Sequence, residues 1–182
     1  MKNSKTASFV LPVVLCFIVG GFSAWAMRES LAVWYPYLAK SVATPPDYVF
    51  PIVWTLLYIC IGISAGLVLT SRKNLQVESV EKFRPDGSLK STETSNPYAP
   101  MRGGIMQLWI WQLALNFMWS ILFFWMRVPW LALVAIICLD ILIILYICRT
   151  ARPYRAAMWL FVPYLLWTLY ATYLNAYIAI YN

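Results

Sequence analysis

Long apolar runs separated by polar or aromatic connections set the pattern of the chain. Five runs, at about 7–27, 48–70, 104–126, 129–149 and 156–180, carry almost no charge. A helix of about 20 residues crosses a hydrocarbon core about 30 Å thick. In lipid the backbone must satisfy its own hydrogen bonds, so such runs form helices rather than open strands. The pattern predicts an all-α membrane protein, a bundle of five transmembrane helices in one domain spanning residues 1–182. The first run is long and lacks a small-residue cleavage site, so it reads as a retained helix rather than a removed leader.

The connections differ in kind. The first, about 28–47, holds Trp34, Tyr35, Tyr37 and the Pro45–Pro46 pair, and is aromatic and semi-rigid. The second, about 71–103, holds most of the charges together with the turn signal Pro85–Asp86–Gly87. It reads as a mobile hydrophilic insertion. The third is a tight turn near Arg127–Pro129, and the fourth is short and basic, with Arg149, Arg152 and Arg155. Alternating spans put the N-terminus and the second and fourth connections on one side. That side carries 11 of the 14 basic residues. An excess of Lys and Arg favours the cytoplasmic face. The expected orientation is therefore N-terminus in the cytoplasm and C-terminus outside, in an inner or cytoplasmic membrane.

Composition agrees with lipid contact. The chain is 62% hydrophobic and only 12% charged, about half the charged fraction of a soluble domain. The net charge of +7 sits in connections rather than on one folded face, so no nucleic-acid partner is expected. There is no histidine, which removes the commonest metal ligand, the usual haem axial ligand and the usual general base. Cys16, Cys60, Cys138 and Cys148 lie inside apolar runs without CxxC spacing. They read as buried small hydrophobes, with no metal site and no disulfide framework.

Polar groups inside the runs carry the functional signal. In the second run Trp54, Tyr58 and Gly62 recur at i, i+4, i+8 and share one helical face. In the third, Gln112, Asn116, Trp119, Ser120 and Phe123 form one stripe. In the fifth, Tyr164, Trp167, Ala171, Leu174 and Asn175 do the same. An amide facing lipid is costly, so these stripes should face protein or a cavity. Two readings stand side by side: interhelical hydrogen bonding alone, or a shared aromatic pocket suited to a flat ligand. Asp140 is the only acidic residue deep in a span; it is either a functional group or a neutral group bonded to a neighbouring helix. Gly20 and Ala24 have small-xxx-small spacing for close packing within the bundle or between two chains. Trp25, Trp109, Trp111, Trp125, Trp130 and Trp159 read as interfacial belt residues.

Taken in order, Trp34–Tyr35, Pro45–Pro46, the stretch from Val49 to Tyr58, the stretch from Gln112 to Ser120, Phe123–Phe124, and Pro163–Tyr164 through Leu174–Asn175 resemble the TspO/MBR family of tryptophan-rich sensory proteins and translocator (peripheral benzodiazepine receptor) proteins. The likeness covers nearly the whole chain except the second connection. It implies a five-helix bundle, often a homodimer, with a pocket capped by the first connection. It implies binding of porphyrins, notably protoporphyrin IX or a haem-related tetrapyrrole, and of benzodiazepine or isoquinoline compounds, with no required cofactor. By position, Tyr35, Pro45, Trp54, Asn116, Trp119, Phe123, Trp167 and Ala171 correspond to pocket residues, which Tyr58 joins from the stripe on the second run. No catalytic residue is expected for ordinary hydrolytic chemistry. Trp54 and Trp167 resemble the pair implicated in light-dependent porphyrin breakdown, and a transporter is a further alternative. The family's proposed sterol motif lacks its basic residue here, since none follows Tyr177; sterol binding is therefore doubtful.

Overall fold

The computed structural model describes the backbone of residues 2–71, 78–83, 89–95 and 99–182, and the side chains of residues 5–71 and 101–182. Five long helices dominate: α1 (Lys2–Val33), α2 (Val49–Thr70), α3 (Ala99–Ser120), α4 (Pro129–Thr150) and α5 (Arg155–Tyr181). Each contains a stretch long and apolar enough to cross a membrane. Helix α1 packs chiefly on α2, α2 also meets α5, and α4 packs between α3 and α5.

The distribution of polarity is reversed relative to a water-soluble bundle. Leu11 (71% exposed), Leu166 (65%) and Trp111 (64%) point outward, while Ser64, Gln112, Asn116, Thr168 and Asn175 are buried. Such an arrangement is stable only where the outer medium is hydrocarbon. Together with the five spans it makes the chain an integral membrane protein. Cys138 and Cys148 depart from the expectation that all four cysteines are buried, because they lie on this outer surface; Cys16 is buried. In lipid a thiol on the outer face costs little, since it behaves as a small hydrophobe.

Three glycines, Gly20, Gly62 and Gly66, let α1 and α2 approach closely. A Cβ on Gly62 would lie 2.6 Å from the Val13 Cα, and one on Gly20 would lie 2.5 Å from the Tyr58 ring. Gly20 therefore serves the bundle interior, whereas Gly21 has open space around it.

Helix α3 does not continue as a regular α-helix through residue 126, as its apolar run suggested. Ile121–Trp125 forms a π-helical turn, with Met126 N–H donating to Ile121 O at 2.9 Å. Arg127 ends it at φ 55°. In that left-handed conformation its Nε donates to Ser30 Oγ at 3.1 Å, and its guanidinium lies 3.6 Å from Glu29. The turn between α3 and α4 is thus tied to the end of α1.

The second connection contains a feature its charge pattern did not suggest. The backbone of β1 (Glu78–Phe83) pairs antiparallel with β2 (Leu89–Ser95). The Pro85–Asp86–Gly87 turn signal lies outside the described residues.

Candidate functional site

Three helices bring aromatic rings and amides together in the middle of the bundle. The Trp54 ring of α2 lies 5.5 Å from Tyr58, 6.4 Å from Trp119 of α3 and 6.3 Å from Tyr164 of α5. Trp119 in turn lies 5.9 Å from Phe123. These separations fall in the range of favourable offset and edge-to-face ring contacts.

A hydrogen-bonded chain runs behind the rings. Tyr58 OH donates to Asn116 Oδ1 at 3.0 Å. Asn116 Nδ2 donates to Tyr164 OH at 3.3 Å. Tyr164 OH donates to Gln112 Oε1 at 3.0 Å, and Gln112 Nε2 donates to Trp109 O at 2.9 Å. Asn116 is 1% exposed and Gln112 is fully buried. Their amides fall on one side of α3 because 112 and 116 are one turn apart. Further along, Trp119 Nε1 donates to Asn175 Oδ1 at 3.0 Å, and Asn175 Nδ2 donates to Pro129 O at 2.9 Å.

The first connection closes one end of this cluster. Its 3₁₀ turn at Tyr35–Tyr37 sets Tyr35 5.9 Å from Phe124, while Trp34 lies 5.7 Å from Phe123. Both partners are presented by the π turn, which rotates side chains relative to a regular helix. Helix α5 holds the rest of the connection. Tyr170 OH donates to Ala43 O, and the Ser41 and Tyr173 hydroxyls are 2.8 Å apart. Asn182 Oδ1 accepts from Ala39 N at 2.8 Å, and its Nδ2 donates to Ala39 O at 3.2 Å. Burial pushes the Tyr35 phenol up to about 12, with the Asp47 carboxylate and the Tyr170 phenol adding to the effect. Lys40 Nζ sits 4.5 Å over the Tyr35 ring.

Among the residues singled out from the sequence, Trp54, Tyr58, Asn116, Trp119 and Phe123 form this one cluster. Tyr35 is buried at its capped end. Trp167 is placed differently, against Phe50 at 5.8 Å and Tyr170 at 5.7 Å, and its indole nitrogen is buried without a partner. Ala171 is buried one turn further along α5. Pro45 is half-buried in the first connection.

Trp109 does not belong to the interfacial belt. It is 2% exposed, and its Nε1 donates to Ile61 O at 3.0 Å. It lies on the buried side of α3, whereas Trp25, Trp111, Trp125, Trp130 and Trp159 are all exposed. Spacing carried the missed signal: 109, 112, 116 and 119 share one face.

Two surface grooves lie elsewhere. One, of about 400 Å³, is lined by Phe17, Ile18, Gly21, Phe22 and Trp25 on α1. The other, of about 210 Å³, runs between α1 and α3 past Leu15, Trp109 and Phe117. No residue of the aromatic cluster lines either groove. Among the described residues no group of acidic, cysteine or histidine side chains is arranged to hold a metal ion.

Comparison with known proteins places this arrangement. The TspO/MBR family model matches residues 12–181. The tryptophan-rich protein TspO of Archaeoglobus fulgidus is 34% identical over 182 residues, covering 100% of this chain and 99% of its own. That of Chlorobaculum tepidum is also 34% identical, covering 95% and 94%. A translocator protein homolog of Schizosaccharomyces pombe is 32% identical, covering 96% of this chain and 88% of its own. With these matches running nearly end to end over five spans, the chain belongs to the TspO/MBR family.

Proposed function

We propose that the chain is a membrane receptor or sensor that binds tetrapyrroles, protoporphyrin IX in particular, and benzodiazepine or isoquinoline compounds. The ligand sits in the seam between α2, α3 and α5. The observation that carries this reading is the meeting of Trp54, Trp119 and Tyr164 from three separate helices over the Asn116 amide. Flat rings stack on a conjugated macrocycle, and placed polar groups fix its orientation. The Trp167 indole N–H, buried and unpartnered, supplies a donor for a ligand acceptor. The names of a tryptophan-rich sensory protein and a translocator protein homolog among its relatives support a membrane sensor or transporter role, without specifying a ligand.

Ring–ring contacts fill the seam. By this proposal the macrocycle enters beside Trp54 and replaces its contact with Trp119. In this reading the cluster lies in a cytoplasmic or inner membrane, with the N-terminus in the cytoplasm as the basic residues favour.

Titration of the purified protein with protoporphyrin IX, followed by tryptophan fluorescence, tests the assignment. Saturable quenching that weakens in both Trp54→Phe and Trp167→Phe is expected. Quenching that does not saturate, or that is unchanged in both variants, would contradict it.

A second reading is favoured by one feature. Trp54 is in ring contact with Trp119, Tyr58 and Tyr164, a row of oxidisable groups beside the proposed ligand. It supports light-dependent breakdown of bound porphyrin by dioxygen through Trp54; Trp167, the second tryptophan of that reading, packs on Phe50 and Tyr170 instead. Illumination should then bleach the porphyrin absorbance faster with protein than in detergent alone; equal rates exclude this activity.

A further inference from the structure

One buried group takes no part in the aromatic cluster. Asp140 stands near the middle of α4 (Pro129–Thr150) and is 6% exposed. Its carboxyl faces α5, where Thr172 Oγ1 lies 2.8 Å from Oδ2. The other oxygen, Oδ1, is buried and has no hydrogen-bond partner among the described residues.

The hydrogens around this carboxyl are few. Thr172 Oγ1 also lies 2.9 Å from Thr168 O, one turn back along its own helix. A hydroxyl has a single hydrogen, so it cannot donate to both oxygens. The neighbouring Thr168 hydroxyl is directed to Leu165 O at 3.1 Å. Thr168 and Thr172 are thus the hydroxyls beside the carboxyl, and each is shared with a carbonyl of its own helix. An isolated charge buried in an apolar medium is far costlier than a neutral acid.

Among the described residues no cation is recorded against this carboxyl. The sequence has no Lys or Arg between Arg102 and Arg127, between Arg127 and Arg149, or after Arg155. Arg149 is about 13 Å away along the axis of α4. The segment from residue 103 to 126, which covers most of α3 and the π turn, contains no titratable side chain. From α5 the titratable group on the same side is Tyr164, one turn before Thr168; α4 itself contributes Tyr146, which is bonded to Ser64 at 2.8 Å, and the outward-facing Cys138.

We propose that Asp140 is a proton-binding site within the membrane, its ligand a single exchangeable proton. The bound proton resides on Oδ2 and is donated to Thr172 Oγ1. Thr172 in turn donates to Thr168 O, which closes the seam between α4 and α5. Releasing the proton leaves a carboxylate and one free H⁺, and the seam loses its donor. Proton occupancy is thereby coupled to the packing of α5, the helix that carries Tyr164, Trp167 and Asn175. The site is independent of the ligand assigned to the aromatic seam, and its test uses no ligand.

The chain has seven acidic residues, and the other six lie outside the apolar middles of the five runs. Infrared spectroscopy of the protein in lipid bilayers at neutral pH should therefore show one protonated carboxylic-acid carbonyl band. The band should be present in the wild type and lost in Asp140→Asn. Its absence from the wild type, or its persistence in the variant, overturns the proposal. If Asp140→Asn fails to fold, the wild type is treated with dicyclohexylcarbodiimide, an apolar reagent that couples to protonated carboxyls. An adduct on the Asp140 peptide that declines severalfold as the pH is raised supports the site. No adduct, or one indifferent to pH, overturns it.

Discussion

Asn116 joins two phenols from different helices through one amide. Tyr58 donates to its oxygen, and its nitrogen donates to Tyr164. Asn116→Leu keeps the volume and removes both partners, leaving the Tyr58 hydroxyl buried and unpaired; Tyr164 retains Gln112. A buried unpaired polar group costs about 1–3 kcal/mol. The variant should unfold at lower temperature in detergent, and an unchanged midpoint would remove Asn116 from the network. The place of Asn116 was legible in the sequence, because an amide in an apolar run must turn toward protein. The setting of Trp109 was less so. An indole near a run's end reads alike whether its N–H meets a lipid headgroup or, as here, the Ile61 carbonyl. The sequence marks Trp167 as a site residue but does not show that it packs on Phe50 while Trp54 packs on Trp119. Side chains on one helical face can still meet different neighbours.

At the scale of elements, the α1–α2 contact and the first connection yield two expectations. Gly62→Ala places a methyl group against the Val13 backbone, which cannot move without the helix. Overpacking of this kind costs about 1–3 kcal/mol. Gly21→Ala meets open space and should leave stability unchanged or raise it, since Gly in a helix interior costs about 0.5–1 kcal/mol relative to Ala. Thermal melts of the two variants check the contrast, and equal effects would contradict the close approach. The first connection is tested through Tyr35, whose phenol is raised from 10.0 to about 12. The unfolded chain ionises first as pH rises, so this contribution to stability is complete below about pH 10 and is lost between 10 and 12. Tyr35→Phe should flatten that part of the stability–pH curve, and an unchanged slope would show that Tyr35 is not buried by the connection. The element boundaries were legible from run length and charge. The π turn at Ile121–Trp125 was not. Nothing in Ile–Leu–Phe–Phe–Trp differs from ordinary helix, and the ties of Arg127 to Ser30 and Glu29 that follow the turn are tertiary contacts.

For the whole molecule, the five spans and the inward turn of polar side chains follow from one constraint. Hydrocarbon outside the bundle rewards apolar surface, so the amides and hydroxyls collect where helices meet. That constraint is written into the sequence, which is why the membrane fold could be read directly. It also gathers the aromatic cluster where helices meet, with the hydrogen-bonded Asn116 and Gln112 amides beside the rings. The β1–β2 pairing in the second connection was not readable, since a charged segment with a turn signal serves a hairpin or a structureless loop equally well. The seam between α2, α3 and α5 is the proposed ligand site. A crystal structure of the protein loaded with protoporphyrin IX tests it. The macrocycle is expected against Trp54, with Trp119 displaced from it and Asn116 and Trp167 within contact. A macrocycle seated in the outer groove lined by Phe17, Ile18, Gly21, Phe22 and Trp25, with the Trp54–Trp119 contact intact, would contradict it.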